Sequence, residues 1–177
     1  RINKKAPCED EDLMKVDESR IDLRDLNFCT IDPASAKDHD DAIYYDDKNA
    51  ILYVAIADVS HFVPLGSELD LSAYAKSTSA YFPHKVFPML PNSLSEELCS
   101  LKPEVDRFAY VFKIFLDTKN LTVKKSELFE AVINSKSKYS YGRIDRVLEK
   151  KLDQYSKTDK EIFDSLRDGK VPNLIEN

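Results

Sequence analysis

Short apolar blocks recur along most of this chain, and their spacing predicts strands joined by turns more often than long helices. Two strand-like runs, Asn27 to Ile31 and Ala42 to Tyr45, hold a polar stretch rich in aspartate between them. The residue before a proline is pushed to extended backbone, so Asp32 before Pro33 closes the first strand. From Ala42 to Ser60 two apolar runs flank Asp46 to Asn49, whose Asp and Asn suit a turn, and an antiparallel hairpin is predicted. Its second strand, Ile51 to Val59, is almost continuously apolar, which predicts burial on both faces. Asp58 interrupts that run and reads either as a carboxylate capping the turn at Ser60 or as a fifth acid beside the cluster, the cap being the simpler reading.

Ser67 to Thr78 has helical spacing, with Ser67 and Asp70 placed as a capping box. Ser79 to Pro91 carries Tyr81, Phe82 and Phe87 among Pro83, Pro88 and Pro91, a proline-stiffened segment rather than a regular element. Aromatic faces on a rigid loop can stack unpaired bases, worth roughly 1 to 3 kcal/mol each; Phe82 and Phe87 are assigned instead to the core. Leu94 to Leu101 reads as a short helix or turn with Cys99 packed inside. Phe108 to Leu116 and Leu121 to Ile133 read as a second hairpin turning at Asp117 to Asn120. Tyr139 to Leu152 has one apolar helical stripe with Ser140 as its cap, and Thr158 to Asp168 is a further predicted helix stopped at Gly169. The expected fold class is α/β of the α+β type: a mixed, largely antiparallel sheet built from hairpins with flanking helices.

With 177 residues, 42% hydrophobic and 33% charged, the chain has room for one domain with a real core. Residues 1–19, with the acidic run Glu9 to Asp12, read as an arm or linker, and residues 20–177 as the domain. No apolar run approaches the roughly 20 residues of a membrane span, so no membrane partner is expected. Cys8, Cys29 and Cys99 are odd in number and lack paired zinc spacing, which points to reduced thiols and a cytoplasmic setting. The net charge of −6 is awkward for a nucleic-acid binder. The imbalance is local: Glu9 to Asp47 holds fourteen acidic and four basic residues, so this stretch carries −10 and the rest of the chain +4.

Asp32, Asp38, Asp40 and Asp41 fall within ten positions of TIDPASAKDHDDA, three of them in a window of four. Carboxylates this close raise one another's pKa, and a fold holding them together calls for a compensating cation. A solvated Asp-rich turn is the plain alternative. Hard oxygen donors suit Mg²⁺ or Mn²⁺ rather than zinc, and Mg²⁺ commonly joins a few carboxylates to substrate phosphate oxygens, which points to phosphodiester chemistry. A calcium loop of the EF-hand type is excluded: counted from Asp38, its third ligand would be Ala42 and its glycine is missing. Arg20 and Arg24, with Asp22 and Asp25, approach the cluster and are read as holding it by ion pairs, surface charge being the alternative. His39, His61 and His84 share no ligand spacing and are read as structural or surface residues.

The cluster is followed in order by YVAIADVSHFV (Tyr53 to Val63), SAYFPHKVFPMLP (Ser79 to Pro91) and LCSLKPEVDR (Leu98 to Arg107). Over roughly Arg20 to Leu148 this series resembles the first part of the catalytic (RNB) domain of ribonuclease II/ribonuclease R exoribonucleases, the ribonuclease R branch most of all. The resemblance implies release of nucleoside 5′-monophosphates from the 3′ end of single-stranded RNA by metal-assisted hydrolysis with Mg²⁺, or Mn²⁺ in its place. It implies Asp32 and Asp41 as direct metal ligands, Asp38 completing the cage, and Asp40 as the aspartate most tied to the chemical step. It implies RNA contacts from Tyr81, stacking near the 3′ end, and from Tyr141 at a helix start, with Tyr139 the alternative. RNA-decay partners such as a helicase, and a monomeric state, are expected. The family's catalytic domain continues to an arginine-bearing segment that no stretch after Leu152 resembles, so the chain is expected to be an incomplete RNB domain, weakly active or inactive alone. Two other classes stay open: a non-catalytic RNA-binding or regulatory module of the same fold, and a structural domain whose aspartates only cap turns.

Overall fold

The computed structural model describes residues 19–120 and 122–148. The arm read over residues 1–19, apart from Ser19, and the helix read at Thr158 to Asp168 lie outside them. The described residues form nine strands: β1 (Ile21–Asp22), β2 (Cys29–Asp32), β3 (Asp41–Asp46), β4 (Ile51–Ala57), β5 (Ala80–Phe82), β6 (Lys85–Phe87), β7 (Asp106–Asp117), β8 (Thr122–Asn134) and β9 (Ser137–Ser140). The helices are α1 (Val59–Phe62), α2 (Glu68–Lys76) and α3 (Tyr141–Leu148), with a π-helical turn at Ser93–Leu98.

Seven strands make one sheet in the order β1-β8-β7-β4-β3-β2-β9, and β5 pairs with β6 apart from it. The four inner pairings are antiparallel, while β1 lies parallel to β8 and β9 parallel to β2 at the two edges. The fold class is therefore the expected mixed one with a largely antiparallel sheet. Both hairpins of the sheet turn on the same device. Asp46 Oδ1 accepts from the N–H groups of Lys48 and Asn49, and Asp117 Oδ1 from those of Lys119 and Asn120, while each Asn amide donates to the other carboxylate oxygen. An aspartate five positions ahead of the returning strand thus fixes the register of each pair.

One face of the sheet carries the core. The register places Ala42 beside Ala55 and Ala57 beside Ala109 and then Ala131, a floor of small side chains. Onto that floor pack fully buried Phe28, Leu101, Val111 and Ile133. Phe28 lies against the rings of Tyr44 and Tyr53, with centroids 6.1 and 6.4 Å away. β4 departs from the expectation of burial on both faces. Ile51, Ala55 and Ala57 point into the core, whereas Ile56 on the opposite face is exposed, as are Phe112 on β7 and Leu128 on β8. The apolar run reflects a strand with one covered face and one open one.

Three further readings are adjusted. Tyr139 lies in β9 rather than a helix, because Cys29 to Asp32 take Ser137 to Ser140 as a parallel partner strand, and the helix begins only at Tyr141. Ser79 to Pro91 does contain a regular element, the β5–β6 hairpin. Phe82 and Phe87 are not core: they are 60% and 52% exposed and meet edge to face at 5.9 Å on the hairpin's outer side. Ser67 caps α2 as expected, accepting from the Asp70 N–H, while Asp70 accepts from the Gly66 N–H. Among the described residues no helix is long and apolar enough to cross a membrane.

Candidate active site

The aspartate stretch is the link from β2 to β3, so Asp32 ends one strand, Asp41 begins the next, and Asp38 and Asp40 ride on the loop between. The loop is tied down on two sides. The Ala57 N–H of β4 donates to the Asp40 carbonyl at 2.9 Å. From the other side, buried Ser100 accepts from the His39 N–H at 3.0 Å and donates to the Lys37 carbonyl at 2.9 Å, and the Leu101 N–H donates to the His39 carbonyl. Arg107, on β7, holds that segment in turn, donating to the carbonyls of Ser100 and Glu97.

Asp38 and Asp40 line a groove of about 660 Å³ together with Lys37, Tyr81, Val86 and Asn92. Alternation along β5 and β6 aims Tyr81 and Val86 at this groove and turns Phe82 and Phe87 away from it. Tyr81 is 72% exposed, so its ring is free on one face. Asp32 lies elsewhere, in a small niche with Pro33, Lys138 and Ser140, where its carboxylate meets His39 Nδ1 at 2.6 Å. Asp41 is exposed at the head of β3. Tyr141, also exposed, follows the residue paired with Asp32, so it stands at the Asp32 end of the sheet but outside the groove that holds Tyr81.

The electrostatics join what the two cavities separate. Desolvation raises the pKa of the Asp40 carboxyl, and the charges of Asp38, Asp41 and Asp32 raise it further, while His39 opposes them. The negative fields of the other three aspartates therefore meet at Asp40. Among the described residues, no three His, Cys, Asp or Glu side chains stand positioned to hold one ion. The donor chemistry nevertheless fits a hard dication: every carboxylate offers oxygen, and the potential raised at Asp40 is of the kind such a cation relieves.

Arg20 and Arg24 do not hold the aspartate loop. Arg20 pairs with Asp58 at 2.6 Å and lies over the Phe108 ring, and Arg24 pairs with Asp22 and Asp106. Asp58 caps α1, accepting from Ser60 Oγ and the His61 N–H. His61 packs edge-on against Phe62 and Phe108. Two residues escape a reading of the sequence. His39 shares no ligand spacing with the other histidines, although it sits inside the cluster. Ser100 lies in one of the quoted motifs, but a lone serine gives no sign that it reaches back some 60 positions.

The family model for the RNB domain matches residues 20–171. Ribonuclease R of Chlamydia pneumoniae is 50% identical over 137 residues, covering 75% of this chain and 20% of its own length. Ribonuclease R of Mycoplasmopsis pulmonis is 40% identical over 173 residues, covering 96% of this chain and 24% of its own length. The structure of Mycoplasma genitalium RNase R in complex with double-stranded RNA matches with a TM-score of 0.75 and 40% identity, over 92% of this chain and 28% of that one. The chain spans about a fifth to a quarter of the length of these curated relatives. On the family match and the fold together, the chain belongs to the RNB domain family.

Proposed function

We propose that this chain forms the aspartate-bearing part of an exoribonuclease that hydrolyses single-stranded RNA from its 3′ end to nucleoside 5′-monophosphates. The observation that carries the reading is the groove in which Asp38 and Asp40 face Tyr81. A nucleotide lying there would set its base against the Tyr81 ring and its phosphate toward the carboxylates. The relatives named ribonuclease R, and a neighbour solved with RNA bound, support RNA as the substrate.

Mg²⁺, or Mn²⁺ in its place, is the proposed cofactor, held by Asp38 and Asp40 from the groove and by Asp32 and Asp41 from the strand ends. When bound it supplies Lewis-acid stabilisation of the charge that builds on the phosphate. Asp40, where the fields of the other three aspartates meet, is assigned to the chemical step as the group that places the reacting centre. His39 keeps the Asp32 carboxylate oriented. Tyr141, beside the Asp32 strand end, is the second proposed RNA contact.

The test is a gel assay on 5′-labelled single-stranded RNA with Mg²⁺ or EDTA. The longest encoded polypeptide is expected to shorten RNA one nucleotide at a time, with Asp40→Asn abolishing turnover and Tyr81→Ala weakening binding by roughly 1 to 3 kcal/mol. The 177-residue chain alone is expected to cleave weakly or not at all. Undiminished turnover by Asp40→Asn would overturn the mechanism. The rival, a non-catalytic RNA-binding module, draws on the lack of three converging ligands among the described residues, and it predicts RNA binding that EDTA leaves unchanged.

A further inference from the structure

We propose that Ser100 is a positioning residue for the candidate active site, its hydroxyl fixing where Asp38 and Asp40 stand in the groove. The inference rests on the metal-holding reading above. Ser100 is 1% exposed. Its one oxygen accepts from the His39 N–H and donates to the Lys37 carbonyl, the main-chain groups on either side of Asp38. Among uncharged side chains, a hydroxyl is the group that donates and accepts strongly at one atom, so the site asks for serine chemistry.

The bridge is rigid on the far side as well. Leu101 holds the His39 carbonyl, and Arg107 Nε and Nη2 hold the carbonyls of Ser100 and Glu97 at 3.1 and 2.8 Å. Arg107 is itself buried in β7, one of the two long inner strands. A continuous set of hydrogen bonds thus runs from the sheet to the loop, while Ala57 pins Asp40 from β4. Removing the hydroxyl strands two main-chain groups at once and frees the loop to shift. Carboxylates that must share one ion are sensitive to such shifts, because partners that orient metal ligands typically contribute about 10- to 100-fold in affinity.

The experiment titrates the 177-residue chain with Mn²⁺ followed by electron paramagnetic resonance, alongside melting temperature and amide exchange at His39. Ser100→Ala is expected to weaken Mn²⁺ binding about 10- to 100-fold and to speed exchange of the His39 amide. Ser100→Cys, which keeps a weak donor and acceptor, is expected to fall between Ser100→Ala and wild type, and it carries the test should Ser100→Ala fail to fold. Ser135→Ala removes another buried hydroxyl, one bonded to the carbonyls of Phe28 and Ser137; it is expected to lower the melting temperature and leave Mn²⁺ binding unchanged. A Ser100→Ala chain that loses only melting temperature, with wild-type Mn²⁺ affinity, would overturn the proposal. Wild-type chain that binds no Mn²⁺ would overturn the metal reading instead. The clamp then stands or falls on the His39 amide, and wild-type protection surviving in Ser100→Ala would overturn it.

Discussion

At the scale of single residues the strongest claims concern buried charge. Asp58 has a side chain 1% exposed and faces Arg20, itself nearly buried, at 2.6 Å. Burial alone would push its carboxyl up, but hydrogen bonds from Ser60, Arg20 and the His61 N–H outweigh that and hold it below the usual carboxylate range. A carboxyl depressed on folding adds stability that is fully present above its unfolded value, near 3.9, and is lost as pH falls through the folded value. Wild-type chain is therefore expected to keep this contribution through neutral pH and lose it only in acid. Asp58→Ala leaves the Arg20 guanidinium with only the longer contact to Glu130, at 3.5 Å, as an ion pair, a change expected to cost about 3 kcal/mol, the low end for a broken buried pair, in urea denaturation at pH 7, with a shallower further loss below pH 4. The role of Asp58 as a cap was legible because it depends on its own neighbours, Ser60 and His61. Arg20 was not, since nothing local to SRID names a partner 38 positions on.

At the scale of elements, the parts legible in the sequence are those whose causes are local. The two Asp-x-Lys-Asn turns announce their hairpins, and Ser67 with Asp70 announces α2. Ser67→Ala is expected to cost about 1 kcal/mol, read from the urea midpoint, because the Asp70 N–H loses its acceptor. The parts not legible are set by partners far away. Tyr139 has helical neighbours in sequence, yet its strand pairing with Ile31 decides its state. Phe82 and Phe87 carry core composition, but a two-stranded hairpin has two faces, and only the Tyr81 side turns toward the groove. The same distance effect hides the clamp on the aspartate loop: the aspartates are visible as a cluster, while the serine bonded to their loop lies beyond β4, α1, α2 and the β5–β6 hairpin.

At the scale of the whole molecule, the sheet sorts its duties by position. The inner antiparallel strands β8, β7, β4 and β3 form the core floor, and the link from β2 to β3 places the aspartates at one end of it. The edges are held by the short strands β1 and β9, which come from opposite ends of the described chain. Only Ser135 and Lys136 separate the end of β8 from the start of β9, a reach of at most roughly 11 Å, so the sheet curls and its two borders approach each other. Tension applied between Ser19 and Leu148 enters the fold through β1 and β9, the two border strands. It meets two residues of ladder at one border and four at the other, against twelve partnered pairs between β7 and β8. In an optical trap the borders are expected to peel first, at low force, before the long β7–β8 hairpin yields. An early high-force peak would show instead that the outermost strands are the mechanical lock.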